Sequence, residues 1–596
     1  MLLSADRYSR QGVSVNPKSD RNHKQTATTG RFLFGLGVIL FLAIPVTARS
    51  ATPDHPPAAA IASAQPLATR AGLEILASGG NAFDAAVAVS AALAVVEPMS
   101  SGMGGGGFWL LHRESDRFET MIDGRERAPS AATRNMYLDG SGNIIPRLSL
   151  DGPLAAGIPG QAAALDHLAR HYGKLPLARS LAPAIKLARD GFPIDERYRR
   201  LVRWRLQTLR QSPAAAAIFL DNSEVPAEGF ILRQPELADT LQALADHGAA
   251  GFYQGKIARR LVDGVRAAGG IWTLKDLADY QAVERDPIQG HYHGLTVTSA
   301  APPSSGGIAL VTMLNILSRF DLKAIERNDG SAARIHLIVE AMRRAYRDRA
   351  DYLGDPDFVK MPLALLTSPD YAAGLAASIR LDRATPSALL PGGHDDAGGN
   401  DTTHFSIIDE EGNRVAATLS INYLFGSGFV APGTGVLLND EMDDFSSKPG
   451  TPNVYGLVGD DANAIAPGKR PLSSMSPTFV EDADRVAILG TPGGSRIITM
   501  VLLGILDIAD GNGPESWVSL PRYHHQFLPD RISYEEDALT AEDIEALKKR
   551  GHRLKPSGRK YGNMQAVLWD RRQNRVSAAS DPRGEGLAEV SRQGQP

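Results

Sequence analysis

The residues best suited to chemistry lie at Asn400-Asp401-Thr402-Thr403-His404-Phe405-Ser406, where a polar, glycine-rich stretch stops and two threonines open an apolar run. The preceding Pro391-Gly392-Gly393-His394-Asp395-Asp396-Ala397-Gly398-Gly399 has no apolar face to bury, so its composition predicts an exposed, mobile loop. We read the Asp401–Thr402 peptide bond as one that the protein cuts itself. Thr402 then starts a second chain and acts as its nucleophile. By spacing alone, a threonine after such a loop is more often just the first residue of a strand. The absence of cysteine removes a thiol nucleophile, thiolate metal sites and disulfides.

The elements around this point follow from periodicity. Residues 403–408 and 415–421 read as two strands joined by Asp409-Glu410-Glu411-Gly412-Asn413-Arg414, a hairpin signal. With Gly412 as the left-handed residue of a three-residue loop, Thr402 falls opposite Ser420, and Ser420 and Asn422 share a face at period two. Upstream, residues 69–96 read as one or two helices broken at Gly79-Gly80-Asn81. The next stretch, Ser101-Gly102-Met103-Gly104-Gly105-Gly106-Gly107-Phe108, contains a formal G-x-G-x-x-G. A dinucleotide site needs a strand before the glycines and a helix after them, and here the order is reversed. Close approach of two backbones is the better use of these glycines.

Residues 160–390 are mainly helical in pattern, with examples at 159–171, 180–190, 232–247 and 331–353. The charges of Met342-Arg343-Arg344-Ala345-Tyr346-Arg347-Asp348-Arg349 predict a solvated or ion-paired helix face. Pro302-Pro303-Ser304-Ser305-Gly306-Gly307 reads as a tight turn and N-cap for a following helix. His524-His525 is better suited to packing than to a metal, because adjacent residues rarely ligate one ion together. From spacing alone, Arg125 is an ordinary surface arginine. The helix-rich first part and strand-led second part together predict one α/β unit.

A chain of 596 residues with a formal net charge of -4 and a pI near 6.4 carries no electrostatic footprint for nucleic acid. Its basic first 31 residues precede the apolar run 32–44, then Pro45 and Val46-Thr47-Ala48. That order predicts an export signal cleaved near Ala48 or Ala51, in residues 1–51, and hence a periplasmic or extracellular protein. The alternative, an uncleaved membrane anchor, has a short apolar run for a spanning helix.

Several long motifs occur in a fixed order between about residues 59 and 582: 101–108, 125–129, 302–307, 401–406, 439–446, 452–463, 470–477, 491–497 and 580–583. In them the chain resembles the γ-glutamyltransferases (γ-glutamyltranspeptidases) of the N-terminal-nucleophile hydrolase superfamily. The resemblance implies a four-layer αββα sandwich built from two chains of one precursor, a large subunit 52–401 and a small subunit 402–596. It implies autocatalytic cleavage by an N-to-O acyl shift, with the freed α-amino group, of pKa roughly 7.7–8.0, taking the hydroxyl proton. No cofactor or metal is expected.

The same resemblance assigns roles residue by residue. Arg125, Ser473 and Ser474 would hold the α-carboxylate of a γ-glutamyl group, and Asn422, Glu441 and Asp444 its α-ammonium. Gly493 and Gly494 would form the oxyanion hole, and Ser420 would bond the nucleophile. Tyr455 would gate a lid, 452–463, which glutaryl-cephalosporin acylases commonly lack. Two residues depart from the pattern: Glu441 stands where several members carry glutamine, and Ser420 where threonine is frequent in bacterial members. The expected substrates are glutathione and other γ-glutamyl amides, with water or an amino acid or dipeptide as acceptor. A glutaryl acylase of the same fold and an uncleaved, non-catalytic binding paralogue are the alternatives.

Overall fold

The computed structural model describes residues 54–389 and 402–591. The leader with its signal site, the acidic loop and Asp401 lie outside the described residues. The strands that build the site are, in chain order, β1 (Ala60–Ser63), β2 (Gly106–Arg113), β3 (Phe118–Asp123), β4 (Val283–Arg285), β5 (Ile288–Tyr292), β6 (Leu295–Ser299), β7 (Thr403–Ile408), β8 (Arg414–Ser420), β9 (Thr478–Glu481), β10 (Arg485–Gly490), β11 (Gln565–Asp570), β12 (Arg575–Ser580) and β13 (Leu587–Val590). They form two antiparallel sheets, ordered β13-β1-β7-β8-β2-β3-β4 and β12-β11-β10-β9-β6-β5. Both sheets draw strands from before and after Thr402, so the two parts of the chain form one α/β unit.

Period-two alternation sorts the side chains of the first sheet. Phe405, Ile407, Val415, Ala417 and Leu419 face a layer of helices α1 (Pro66–Ala77), α2 (Ala82–Val96), α3 (Gln161–His171), α4 (Leu177–Asp190) and α5 (Pro235–His247). Ile408 and Ala416 face the second sheet, whose Phe479 and Ile488 share a core with α6 (Gly306–Leu317), α7 (Ser331–Tyr352) and α8 (Ile497–Ala509). The result is the expected αββα order of layers. Each fully buried Leu, Ile or Phe contributes roughly 1.5–3 kcal/mol. All of α2 is buried, which suits its AFDAAVAVSAALAVV sequence, apolar but for Asp84 and Ser90, and Asn81 with Asp84 closes a capping box at its start. Among the described residues no helix is long and apolar enough to cross a membrane.

The glycine-rich stretch leads from helix to strand, and its glycines admit neighbouring backbone. A Cβ on Gly104 would lie 2.0 Å from the Leu437 carbonyl oxygen, and one on Gly105 2.2 Å from that of Ser420. The β7–β8 turn is the expected three-residue loop: the Asp409 N–H donates to the Asn413 carbonyl, and Gly412 has φ +90°.

Several expectations need correction. The region 160–390 also contains the β5–β6 hairpin, which is the edge of the second sheet. Strand β8 ends at Ser420, and Asn422 adopts φ +70°, so the two do not continue a period-two strand. The turn 302–307 leads into α6 as expected, with Ser305 at the N-cap, but Ser305 Oγ donates to the Ser473 carbonyl at 2.7 Å instead of capping, and Ser304 Oγ accepts from the Gly306 N–H. The charged face of α7 is ion-paired but not solvated. Arg343, Arg344 and Arg349 are buried, the first two on Glu340 and the third donating to Ser305 Oγ at 3.0 Å. Charge runs usually stay in water; these are tolerated inside because buried acceptors meet them.

Candidate active site

Thr402 immediately precedes β7. The register pairs Thr403 with Leu419, and one further step places Thr402 opposite Ser420. By alternation both point between the sheets, on the side of His404 and Ser406. Here the second sheet comes close: a Cβ on Gly490 would lie 2.3 Å from the His404 ring. His404 bonds Thr418 Oγ1 at 2.8 Å and Ser406 Oγ at 3.2 Å, and burial drives its pKa down to about 3, so it stays neutral. It packs the inter-sheet layer and holds no charge for catalysis. Just beyond Gly490 the chain turns through Gly493 (φ +145°) and Gly494 (φ +55°), both strained for any other residue.

A small cavity sits at this end of the sandwich, with about 20 Å³ of open space, enough for roughly one water. Thr402, Ser420, Asn422, Arg125, Asp444 and Tyr455 line it, together with Ser473, Ser474 and Gly494. Of the candidate residues, Glu441 stands behind Arg125 and Gly493 adjoins Gly494. Sequence positions hundreds of residues apart thus meet around one hydroxyl.

Arg125 is 1% exposed, not a surface residue. Its Nη1 donates to Glu441 Oε2 and its Nη2 to Asp444 Oδ2, each at 2.5 Å, and its Nε donates to the Pro471 carbonyl. Burial pulls the guanidinium down, but Glu441, Asp444 and Glu126 outweigh it and hold it above its ordinary value. Burial pushes Glu441 up to about 7 against the pull of Arg125. Glu126, 3.6 Å from Arg125 Nη1, is pushed well above the carboxylate range, first by burial and then by Glu441. With one guanidinium between them, the buried Glu126 and Glu441 each raise the other's affinity for a proton.

Ser473 is held by the motif at 302–307: its N–H donates to the Pro303 carbonyl, and its own carbonyl accepts from the Ser305 N–H. Ser474 Oγ, which lines the cavity, is buried without a hydrogen-bond partner among the described residues. Orphaned polar atoms beside a cavity are the atoms a polar ligand would satisfy. Tyr455 closes the site from the lid. Its hydroxyl donates to the Asn422 carbonyl at 2.5 Å, and its ring lies on Gly494, where a Cβ would come within 2.4 Å of Cδ1.

Three residues here escaped the sequence reading. Glu126 stands next to Arg125, and an acid beside a base reads as a surface pair. Asn453 organises the lid, and the only signal for it was its place in the motif 452–463. Gln526 donates to the Tyr455 and Gly456 carbonyls and accepts from Ser495 Oγ, with no sequence signal. His524 and His525 are buried and bonded to Thr499, Gln526 and Asp530, in keeping with packing. The described residues include one close group of possible metal ligands, His336, Glu340 and His552. Its carboxylate already takes Arg343, Arg344 and the Thr385 N–H.

The arrangement offers a hydroxyl nucleophile, a cation for a carboxylate, carboxylates for an ammonium, and backbone at a positive-φ turn for an oxyanion. Known proteins are similar to the chain over most of its length. The glutathione hydrolase proenzyme of Escherichia coli (strain K12) is 44% identical over 529 residues, 88% of this chain and 90% of that protein. The glutathione hydrolase proenzyme of Pseudomonas aeruginosa is 42% identical, over 89% of this chain and 94% of that protein. Among solved structures, the γ-glutamyltranspeptidase of Helicobacter pylori matches with TM-score 0.54 and 40% identity, covering 55% of this chain and 94% of that chain. The cephalosporin acylase of Bacillus halodurans matches with TM-score 0.78 at 26% identity, covering 93% of this chain and 99% of that chain. The gamma-glutamyltranspeptidase family model matches residues 68–591, and the chain therefore belongs to that family.

Proposed function

We propose that Thr402 is the nucleophile of a γ-glutamyl hydrolase and transferase that acts on glutathione and related γ-glutamyl amides. The activity follows the family and the relatives named glutathione hydrolase proenzyme. The observation that carries the site assignment is the pairing of Arg125, which lines the cavity next to Thr402, with Glu441 behind it and Asp444 beside it. A guanidinium flanked by carboxylates complements the α-carboxylate and α-ammonium of an amino acid head group. A glutaryl group has no ammonium to offer them.

The chemistry runs in two stages. In the precursor the Thr402 hydroxyl attacks the Asp401 carbonyl carbon, the peptide C–N bond breaks, and water resolves the ester. This yields the large subunit 52–401 and the small subunit 402–596. The freed α-amine then takes the Thr402 hydroxyl proton as Oγ attacks the γ-carbonyl of the donor. Backbone N–H groups at Gly493 and Gly494 receive the oxyanion, and Ser420 bonds the nucleophile. The amine leaves with a proton, and water or the amine of an amino acid or dipeptide takes the γ-glutamyl group from the ester. The α-carboxylate would rest on Arg125, Ser473 and Ser474, and the α-ammonium on Asn422, Glu441 and Asp444. A γ-glutamyl group exceeds the present cavity, so Tyr455 and the Arg125 ion pairs must part to admit it. Export by cleavage of the leader belongs to the same reading.

Turnover of γ-glutamyl-p-nitroanilide against glutaryl-p-nitroanilide tests the assignment. The γ-glutamyl amide is expected to be the better substrate by kcat/KM, and a preference for glutaryl would return the site to the acylases. Gly494→Ala places a methyl into the Tyr455 ring at a positive φ. Alanine keeps the N–H but the clash is expected to shift it off the oxyanion and to lower kcat about 10²–10³-fold, as when an oxyanion donor is lost; steady-state rates near wild type would remove Gly494 from that role.

Glu441 gives a pH prediction. Its folded pKa of about 7 lies above the ordinary carboxylate value, so the folded chain binds this proton where the unfolded chain has lost it. The Glu441 contribution to stability therefore falls as pH rises from the ordinary carboxylate range to about 7. Glu441→Gln cannot ionise, so its thermal midpoint is expected to gain on wild type between about pH 5 and about pH 8. A difference between the two proteins that stays constant with pH would contradict this.

A further inference from the structure

The substrate-facing carboxylate and the lid meet in one side chain, Asn453. Its Nδ2 donates to Asp444 Oδ1 at 3.0 Å, while the other oxygen of Asp444 takes Arg125 Nη2. Its Oδ1 accepts from the Tyr455 N–H at 3.0 Å and the Leu457 N–H at 3.1 Å. The Asn453 main chain closes the same turn: its N–H donates to the Leu457 carbonyl and its carbonyl accepts from the Gly456 N–H. The amide can have only this orientation, since a flip would set its NH₂ against two N–H donors and its oxygen against a carboxylate. A continuous set of bonds therefore runs from Arg125 through Asp444 and Asn453 to the turn that carries Tyr455.

We propose that Asn453 is a positioning residue that couples occupancy of the γ-glutamyl site to the lid. The proposal rests on the assignment of that site above. An incoming α-carboxylate competes with Asp444 for Arg125, and the α-ammonium draws Asp444 toward itself. Asp444 cannot reorient without moving the Asn453 amide, and that amide defines the Tyr455–Leu457 turn. Coupling is reciprocal: a donor that steadies the lid is itself bound more tightly by a lid in place. The neighbouring Asp443 meets the lid one residue earlier, at the Val454 N–H, and its other oxygen takes Ser149 Oγ.

Two substitutions separate the arms of the amide. Asn453→Asp keeps an oxygen for the Tyr455 and Leu457 N–H groups but sets a carboxylate against Asp444. Asn453→Ala removes both arms. The probes are γ-glutamyl-p-nitroanilide for kinetics and L-glutamate as site ligand, with chymotrypsin cutting at Tyr455 and Leu457 as readout of the lid. Splitting into two chains on a denaturing gel reports that each variant has folded.

In wild type, L-glutamate is expected to slow cutting of the lid. In Asn453→Asp the unliganded lid should be cut at the wild-type rate, L-glutamate should no longer slow it, and KM should rise about 10-fold with kcat within about 3-fold, inside the usual range of coupling. Asn453→Ala should show the same KM and a lid cut faster with or without ligand. A wild-type KM in Asn453→Asp, or retained protection by L-glutamate, would overturn the proposal. Faster cutting in both variants with no split between KM and kcat would reduce Asn453 to a structural residue and overturn it equally. A wild type that prefers glutaryl-p-nitroanilide would sink the site assignment itself, which the variants do not address.

Discussion

Thr402→Ala is expected to give one uncut chain on a denaturing gel and no turnover of γ-glutamyl-p-nitroanilide, a loss of at least about 10⁴-fold. The acyl shift and the later transfer both need a hydroxyl at this position, and no neighbour can stand in. Thr403 is one residue away, but alternation puts it on the face of Phe405 and Ile407, toward the helix layer, where its Oγ1 is buried without a hydrogen-bond partner among the described residues. Ser420 is across the hairpin, and its Oγ already accepts from the Asn422 N–H at 2.8 Å. Thr402→Ser keeps the hydroxyl and is expected to split and to turn over. N-terminal sequencing of the wild-type small chain should begin at Thr402. An alanine variant that still splits there, or retains turnover, would place the nucleophile elsewhere.

The position of Thr402 was legible because two local rules agree. Period-two alternation and a single positive-φ glycine, Gly412, fix the hairpin register, and both can be read along the chain. Arg125 was legible only through its motif. Its burial depends on Glu441 and Asp444, 316 and 319 residues downstream, and no local pattern announces such partners. The charges of α7 were legible as ion-paired but not as buried, since burial of an arginine is decided by what faces it. The β5–β6 hairpin was lost among helices because its strands are short and their alternation is mixed, Ile-Gln-Gly-His-Tyr in the first. Asn453 and Gln526 act through backbone atoms of the lid, so their side-chain types carried little signal.

Arg125 is the residue whose removal should cost most after Thr402, because it serves fold and site together. In Arg125→Ala the carboxylates of Glu126, Glu441 and Asp444 remain, and the cation paired with all three is gone. Removing one partner of a buried ion pair typically costs about 3–5 kcal/mol, since the other charge stays desolvated. These carboxylates can escape the penalty only by taking protons. The stability lost relative to wild type should therefore shrink as pH falls, and thermal midpoints at about pH 8 and about pH 5 measure it. Arg125→Lys returns the charge but as a point, without the two Nη donors that now reach Glu441 and Asp444 separately. It is expected to recover most of the stability and splitting, yet to keep kcat/KM for γ-glutamyl-p-nitroanilide about 10²-fold or more below wild type, chiefly through KM. A stable Arg125→Ala with wild-type KM would mean that neither the carboxylate cluster nor the α-carboxylate depends on this guanidinium. In that case the α-carboxylate would have to be held by Ser473 and Ser474 alone.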